Sequence, residues 1–276
     1  MRLAIVFHTT GVLVRLFAAA PLVPLVLAAA YREWDDALGF VVAAATSLLL
    51  GVVMRRAGGA PVAEQRIRRV EGLAIVAATW LVIAHLAAIP YVWSGLGFVD
   101  ALFESMSGFT TTGATVLTDF TLFGRSVFFW RALTMWLGGL GVIALFIAVL
   151  PRLAIGGREL FFAEAAGPTD EKLTPQLRQT ALALWKLYTL LTIAEIAVLT
   201  AVGMPLFDAI CNSFATMAAG GFSPHPLSIA GYDSAAVEWI ITIFMFVAGA
   251  NFALQYRAVR GSRAALVQDE EFRAYA

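Results

Sequence analysis

Long apolar runs without a single charge dominate this chain. Residues 37–54, 72–93, 132–150 and 239–256 contain no Asp, Glu, Lys or Arg. A helix rising ~1.5 Å per residue needs about 20 apolar residues to cross a ~30 Å hydrocarbon layer, so each run reads as a membrane span. Two more runs come close: 12–30, interrupted early by Arg15, and 181–202, which holds Lys186 and Glu195. Composition agrees, with 60% hydrophobic and 14% charged residues where a soluble domain carries about 45–50% and about 25%. The fold class expected is all-α integral membrane. The 19 basic residues balance 19 acidic ones, so no basic field exists to attract nucleic acid. The single cysteine, Cys211, cannot close an internal disulfide, and scattered His8, His85 and His225 suggest no metal cluster. The first thirty residues mimic a signal peptide, with Arg2, an apolar run and Ala28 to Ala30. The length of the run, Pro21 and Pro24, and the spans that follow favour a retained first helix.

Orientation follows the excess of Lys and Arg in cytoplasmic loops. The 55–70 linker sets Arg55, Arg56, Arg66, Arg68 and Arg69 against Glu64, and reads as cytoplasmic. The 31–36 loop, with Arg32 beside Glu33, Asp35 and Asp36, reads as outside. Counting onward puts 151–180 inside with Arg152, Arg158, Lys172 and Arg178, and 257–276 inside with Arg257, Arg260, Arg263 and Arg273. The connections 94–130 and 203–236 fall outside, with only Arg125 and Arg131 as bases. The N-terminus is therefore expected in the cytoplasm.

Each outer connection contains an apolar stretch too short to cross, about 101–109 and 209–217. Asp100 and Asp208 precede them, as carboxylates that would cap a helix N-terminus. Both stretches end in Thr, Gly and Ala. A short helix stopping in a Gly-containing loop between two spans reads as a re-entrant hairpin, which survives at membrane depth only where protein or a water-filled path surrounds it. A shift of 108 residues superimposes the two connections: Gly95 falls on Gly203, Asp100 on Asp208, Ala101 on Ala209, Ser105 on Ser213 and Gly113 on Gly221. The next spans match with two more residues inserted, Met135–Gly139 beside Met245–Gly249. The unit of span, re-entrant helix, loop and span thus occurs twice. The expected organisation is a leading helix pair over 1–56, a first unit over 70–150, a cytoplasmic connector over 151–180, a second unit over 181–257 and the start of a third over 258–276.

The loops Phe109 to Thr115 and Ala218 to Ser223 hold no nucleophile–base pair and no carboxylate cage. They offer backbone carbonyls and hydroxyls, the oxygens that replace the water around a monovalent cation in a filter. Glycine lets successive carbonyls point the same way. The C-terminal end of each short helix adds partial negative charge. A plain pair of turns remains the alternative. A membrane enzyme is disfavoured, because no span end gathers an acid, a base and a nucleophile.

At these residues the chain resembles a known family. Asp100 to Thr115 is similar to the first pore loop of the Trk/Ktr/HKT potassium transporters, specifically their TrkH/TrkG-type membrane subunits. Trp130 to Gly141 resembles that family's next helix. Pro151 to Pro175, with Gly156, Gly157, Glu164, Gly167, Pro168 and Lys172, resembles its connector. Gly220 to His225 and Phe246 to Phe252 resemble the second loop and the following helix. The resemblance implies potassium uptake across a bacterial cytoplasmic (inner) membrane, through a pore of four such units. It implies filter positions at Thr111, Thr112, Gly113, Ala219, Gly220 and Gly221, flanked by Ala114, Thr115, Phe222 and Ser223. It further implies potassium as the transported ion with no cofactor, a homodimer in the lipid bilayer, and a cytosolic TrkA-like nucleotide-binding regulatory subunit. Two units stand here where the family has four, and Asp269 to Ala276 resembles the start of the third. The chain is therefore expected to be an N-terminal half, the alternative being a non-conducting half-subunit that only assembles with a complementary half.

Single residues complete the reading. Glu195 and Lys186 lie nine positions apart and face opposite sides of one helix, so Glu195 points to a partner helix or an ion path, and Lys186 to the inner surface. Arg131 either pairs with Glu104 or anchors at the interface. Glu104 could also concentrate cations at an outer mouth. His85 reads as packed or interfacial, and His225 as solvated. Gly138, Gly139 and Gly141 read as close helix packing. Cys211 reads as a small buried apolar residue.

Overall fold

A computed structural model describes residues 1–59, 68–139, 141, 177–259 and 268–276. Among the described residues the chain is helix, turn and irregular backbone, with no strand. Four helical stretches are long and apolar enough to cross a membrane: Leu3–Tyr31, Trp34–Ala57, Val70–Trp93 and Leu182–Ala201. The all-α membrane class expected from the apolar runs is what the chain adopts. Residues 60–67, the latter part of the 132–150 run and the connector up to residue 176 lie outside the described residues.

The leading segment forms α1 (Leu3–Phe17), α2 (Leu22–Tyr31) and α3 (Trp34–Ala57). The first helix starts well before residue 12, and helix breaks between Phe17 and Leu22, where Pro21 takes the cap position. Proline lacks the N–H that would continue the ladder and disfavours helix in the residue before it. Arg15 does not interrupt the helix; it is exposed on the surface of α1. The two helices α1 and α3 cross at backbone contact. A Cβ on Gly51 would lie 2.8 Å from Cα of Arg15, and one on Gly11 would run into the backbone N of Arg55. Small residues allow such an approach.

Two units then follow in the same order. The first is α4 (Arg69–Trp93), α5 (Phe98–Phe109) and α6 (Arg125–Gly139). The second is α7 (Leu177–Ala201), α8 (Leu206–Met217) and α9 (Ala235–Gly249). The bounds of α7 and α8 are those of α4 and α5 plus 108, and those of α9 are α6 plus 110. The inserted pair sits in the loop that precedes α6 and α9, where a three-residue turn at Phe120–Leu122 becomes five at Ser228–Tyr232. The short helices begin earlier than the acidic residues suggest. Gly97 and Pro205 are the caps, and Asp100 and Asp208 lie inside the first turn without a capping bond. Both remain placed to favour the positive helix end.

The helix expected over 239–256 is not continuous. It ends at Gly249, passes through extended Ala250, and resumes as α10 (Phe252–Val259). A final helix, α11 (Glu270–Tyr275), packs back with Tyr275 donating to the Phe246 carbonyl at 3.1 Å. The core joins the leading segment to the first unit. Buried Trp130 packs on Phe17 and Phe40 and donates its indole N–H to the Ala87 carbonyl at 3.1 Å. The units meet where α8 packs on α6, with Trp136 stacked on Phe214. On α7, Lys186 is exposed and Glu195 fully buried, on opposite faces as expected. Neither Glu195 oxygen has a hydrogen-bond partner among the described residues.

Candidate functional site

Both short helices end in the same turn. At the end of α5 the Thr111 N–H donates to the Gly108 carbonyl at 3.0 Å and Thr112 to Ser107 at 2.9 Å. At the end of α8 the Ala219 N–H donates to Thr216 at 2.8 Å and Gly220 to Ala215 at 2.9 Å. This crossed pair of bonds needs a left-handed residue just past the helix. Thr111 and Ala219 supply it, each with φ 54°. Glycine is the usual occupant, and a β-branched residue there is a genuine outlier. The chain then passes through Gly113 at φ 74° and Gly221 at φ 95°. The turns leading into α5 and α8 repeat likewise, around Gly95 at φ 102° and Gly203 at φ 101°.

The two loops come together. A Cβ on Gly113 would run into the Gly220 carbonyl oxygen, so the backbones touch there. One on Gly221 would meet open space. Thr112, Ala114, Thr115, Ala219 and Gly221 are exposed, Thr111, Gly113 and Gly220 half-buried, and Phe222 and Ser223 buried. The Thr112 hydroxyl bonds to that of Thr110 at 2.8 Å, and the Ala114 carbonyl accepts from Ser107 at 2.6 Å. The glycines of α6 allow close seating behind the loops. A Cβ on Gly138 would strike the Phe109 carbonyl, and one on Gly139 would lie 2.9 Å from Cα of Ala218.

An ion pair lies behind the first loop. Arg131 Nε donates to Glu104 Oε2 at 3.1 Å, and both side chains are buried. Glu104 Oε1 accepts from the Thr115 hydroxyl at 2.5 Å and the Val116 N–H at 2.6 Å. Arg131 Nη2 donates to Thr115 Oγ1 at 3.0 Å. The guanidinium also lies 4.1 Å from the Phe222 ring centre. Pairing is thus the outcome for Arg131, and Glu104 is enclosed rather than placed at a mouth. Buried charges need such mutual satisfaction. His225, expected in solvent, is half-buried against Tyr232 and accepts from the Leu227 N–H at 3.2 Å. Burial pushes the Tyr232 phenol above its usual range, so it stays a neutral partner for Asn212. His85 is exposed, back-bonded to the Leu81 carbonyl at 2.7 Å. Cys211 is buried, and no group of three or more His, Cys, Asp or Glu that could hold a metal occurs among the described residues.

Spanning helices that carry two matched, uncharged, oxygen-rich loops define an all-helical membrane protein. Residues 50–269 match the family described as TrkH, cation transport protein, and the chain belongs to that family. It is 38% identical over 283 residues to the Trk system potassium uptake protein TrkH of Salmonella typhimurium, covering 100% of this chain and 57% of that one. It is also 38% identical over 281 residues to TrkG of Escherichia coli, covering 98% and 56%. The crystal structure of the potassium transporter TrkH from Vibrio parahaemolyticus superimposes with a TM-score of 0.83 at 33% identity, over 100% of this chain and 56% of that one. The chain therefore spans a little over half the length of these relatives.

Proposed function

We propose that this chain contributes half of a potassium-selective uptake path across a bacterial inner membrane, with its N-terminus in the cytoplasm. Carbonyl and hydroxyl oxygens of Thr111, Thr112 and Gly113 from one loop, and of Ala219, Gly220 and Gly221 from the other, replace the water around the ion. Ala114, Thr115, Phe222 and Ser223 frame them. The observation that carries this reading is the meeting of two identically turned, uncharged loops at Gly113 and Gly220. The names of the relatives add the ion: both are potassium uptake proteins. Oxygens of neutral groups bind a cation without trapping it, and both short helices aim their negative ends at the loops. Ions move down their electrochemical gradient. A homodimeric assembly in the lipid bilayer and a TrkA-like nucleotide-binding regulator on the cytosolic side belong to the same reading.

Potassium-dependent growth of uptake-deficient cells tests it, with the chain expressed alone or beside the C-terminal half of Salmonella typhimurium TrkH. Rescue in either arrangement is the expected result. Rescue only with the second half identifies a half-subunit that conducts on assembly, and no rescue in both overturns the reading. In the rescuing arrangement, Gly113→Ser and Gly221→Ser are expected to weaken the preference for potassium over sodium. Unchanged flux ratios would remove these glycines from the ion path.

A further inference from the structure

The two loops are alike in backbone but not in what stands behind them. Glu104 corresponds to Asn212 at the 108-residue shift, and Arg131 to Ile241 at the 110-residue shift. The second unit therefore has no counterpart of the ion pair. Asn212 donates instead to the Tyr232 hydroxyl at 3.1 Å. Arg131 compensates by reaching both loops. Its Nη2 holds Thr115 of the first at 3.0 Å, while its guanidinium lies 4.1 Å from the ring centre of Phe222 in the second. Phe120 and Phe128 border the same group at 5.8 and 5.7 Å. Glu104 fixes the arginine and neutralises its charge next to a path meant for cations.

We propose that Arg131, locked by Glu104, is a positioning residue that braces both loops at once and thereby sets ion preference without touching the ion. The inference rests on the transport reading for its consequence but not for its geometry. Arginine suits the role because its planar group can donate to Thr115 and Glu104 while presenting a flat face to an aromatic ring. Lysine keeps the charge and loses that combination.

The brace is tested by thiol accessibility in the membrane-embedded chain, using Cys211→Ala to remove the native thiol. Leu117→Cys reports on the first loop and Ser223→Cys on the second, both positions being buried. Loss of a charge-assisted bond and a cation–ring contact is expected to raise methanethiosulfonate labelling by about tenfold at both reporters in Arg131→Lys. Phe222→Leu keeps the ion pair, so it is expected to raise labelling at Ser223→Cys only. That variant also keeps the test decisive if Arg131→Lys fails to fold. Unchanged labelling in both variants, or a rise in Arg131→Lys confined to the first loop, overturns the brace. Where the unmodified chain carries potassium, Arg131→Lys is expected to lower the potassium-to-sodium flux ratio, and an unchanged ratio overturns the link to ion preference. Labelling as expected with no potassium flux in any arrangement leaves the brace standing and defeats the transport reading instead.

Discussion

In each of the two paired loops one residue holds a conformation that its side chain disfavours. Thr111 and Ala219 both sit at φ 54°, where a glycine would cost nothing sterically. A left-handed L-residue costs about 1–2 kcal/mol, so Thr111→Gly is expected to raise the melting temperature of the purified chain. Strain of this kind persists where the surroundings over-determine it, and it concentrates at working sites. The glycines two positions on differ from one another. Both need positive φ, but only at Gly113 does a side chain strike the opposite loop. Gly113→Ala is therefore expected to destabilise more than Gly221→Ala, compared by thermal unfolding in detergent. That each short helix ends in a loop of glycine and uncharged oxygen was legible from composition and spacing. The Glu104–Arg131 pair was legible only as one of two options, since a separation of 27 positions carries no geometry of its own.

At the scale of elements, apolar length placed the helices and backbone chemistry trimmed them. Asp100 and Asp208 look like caps in the sequence, yet Gly97 and Pro205 take that position because their extended backbones already turn the chain into the helix. The α1–α3 crossing depends on glycines whose spacing in one helix gives no hint of the other. Forcing extra methyl groups into such a contact costs about 1–3 kcal/mol, so Gly51→Val is expected to lower the yield of monodisperse protein on size-exclusion chromatography. The break after Gly249 is capped by a side chain. Gln255 Nε2 donates to the Val247 carbonyl at 2.7 Å and the Ala250 carbonyl at 3.0 Å. Two such bonds at about 1 kcal/mol each make this a local clasp. Gln255→Ala is expected to speed amide exchange across 247–254 while leaving α8 protected. Faster exchange in both would mean the residue supports the whole unit.

At the scale of the chain, the described residues hold two like-ordered sets of helices, in contact through α6 and α8 and preceded by helices that pack on the first set. Its orientation in a bilayer rests on arginines, since the apolar spans are symmetric with respect to the two sides. A reporter active only outside the cytoplasm is expected to work when fused at Asp36 and to fail when fused at Gly59. The reverse pattern would invert the assignment of every loop. Copies related by a constant shift share their turns because the same positions must be glycine or adopt left-handed backbone. They differ in side-chain support because only one copy carries a charged pair.

The sequence alone determined what depends on local chemistry and length: helical spans, the repeated unit, and loops stocked with glycine and uncharged oxygen. Those features follow from hydrophobic transfer and backbone sterics, which act over a few residues. Tertiary structure decided what depends on approach between distant segments. Gly113 meets Gly220, Glu104 is buried with Arg131 rather than exposed at a mouth, and one guanidinium serves two loops. Packing sets such contacts, and the energy of a buried charge or a touching backbone exists only once the chain has brought its parts together.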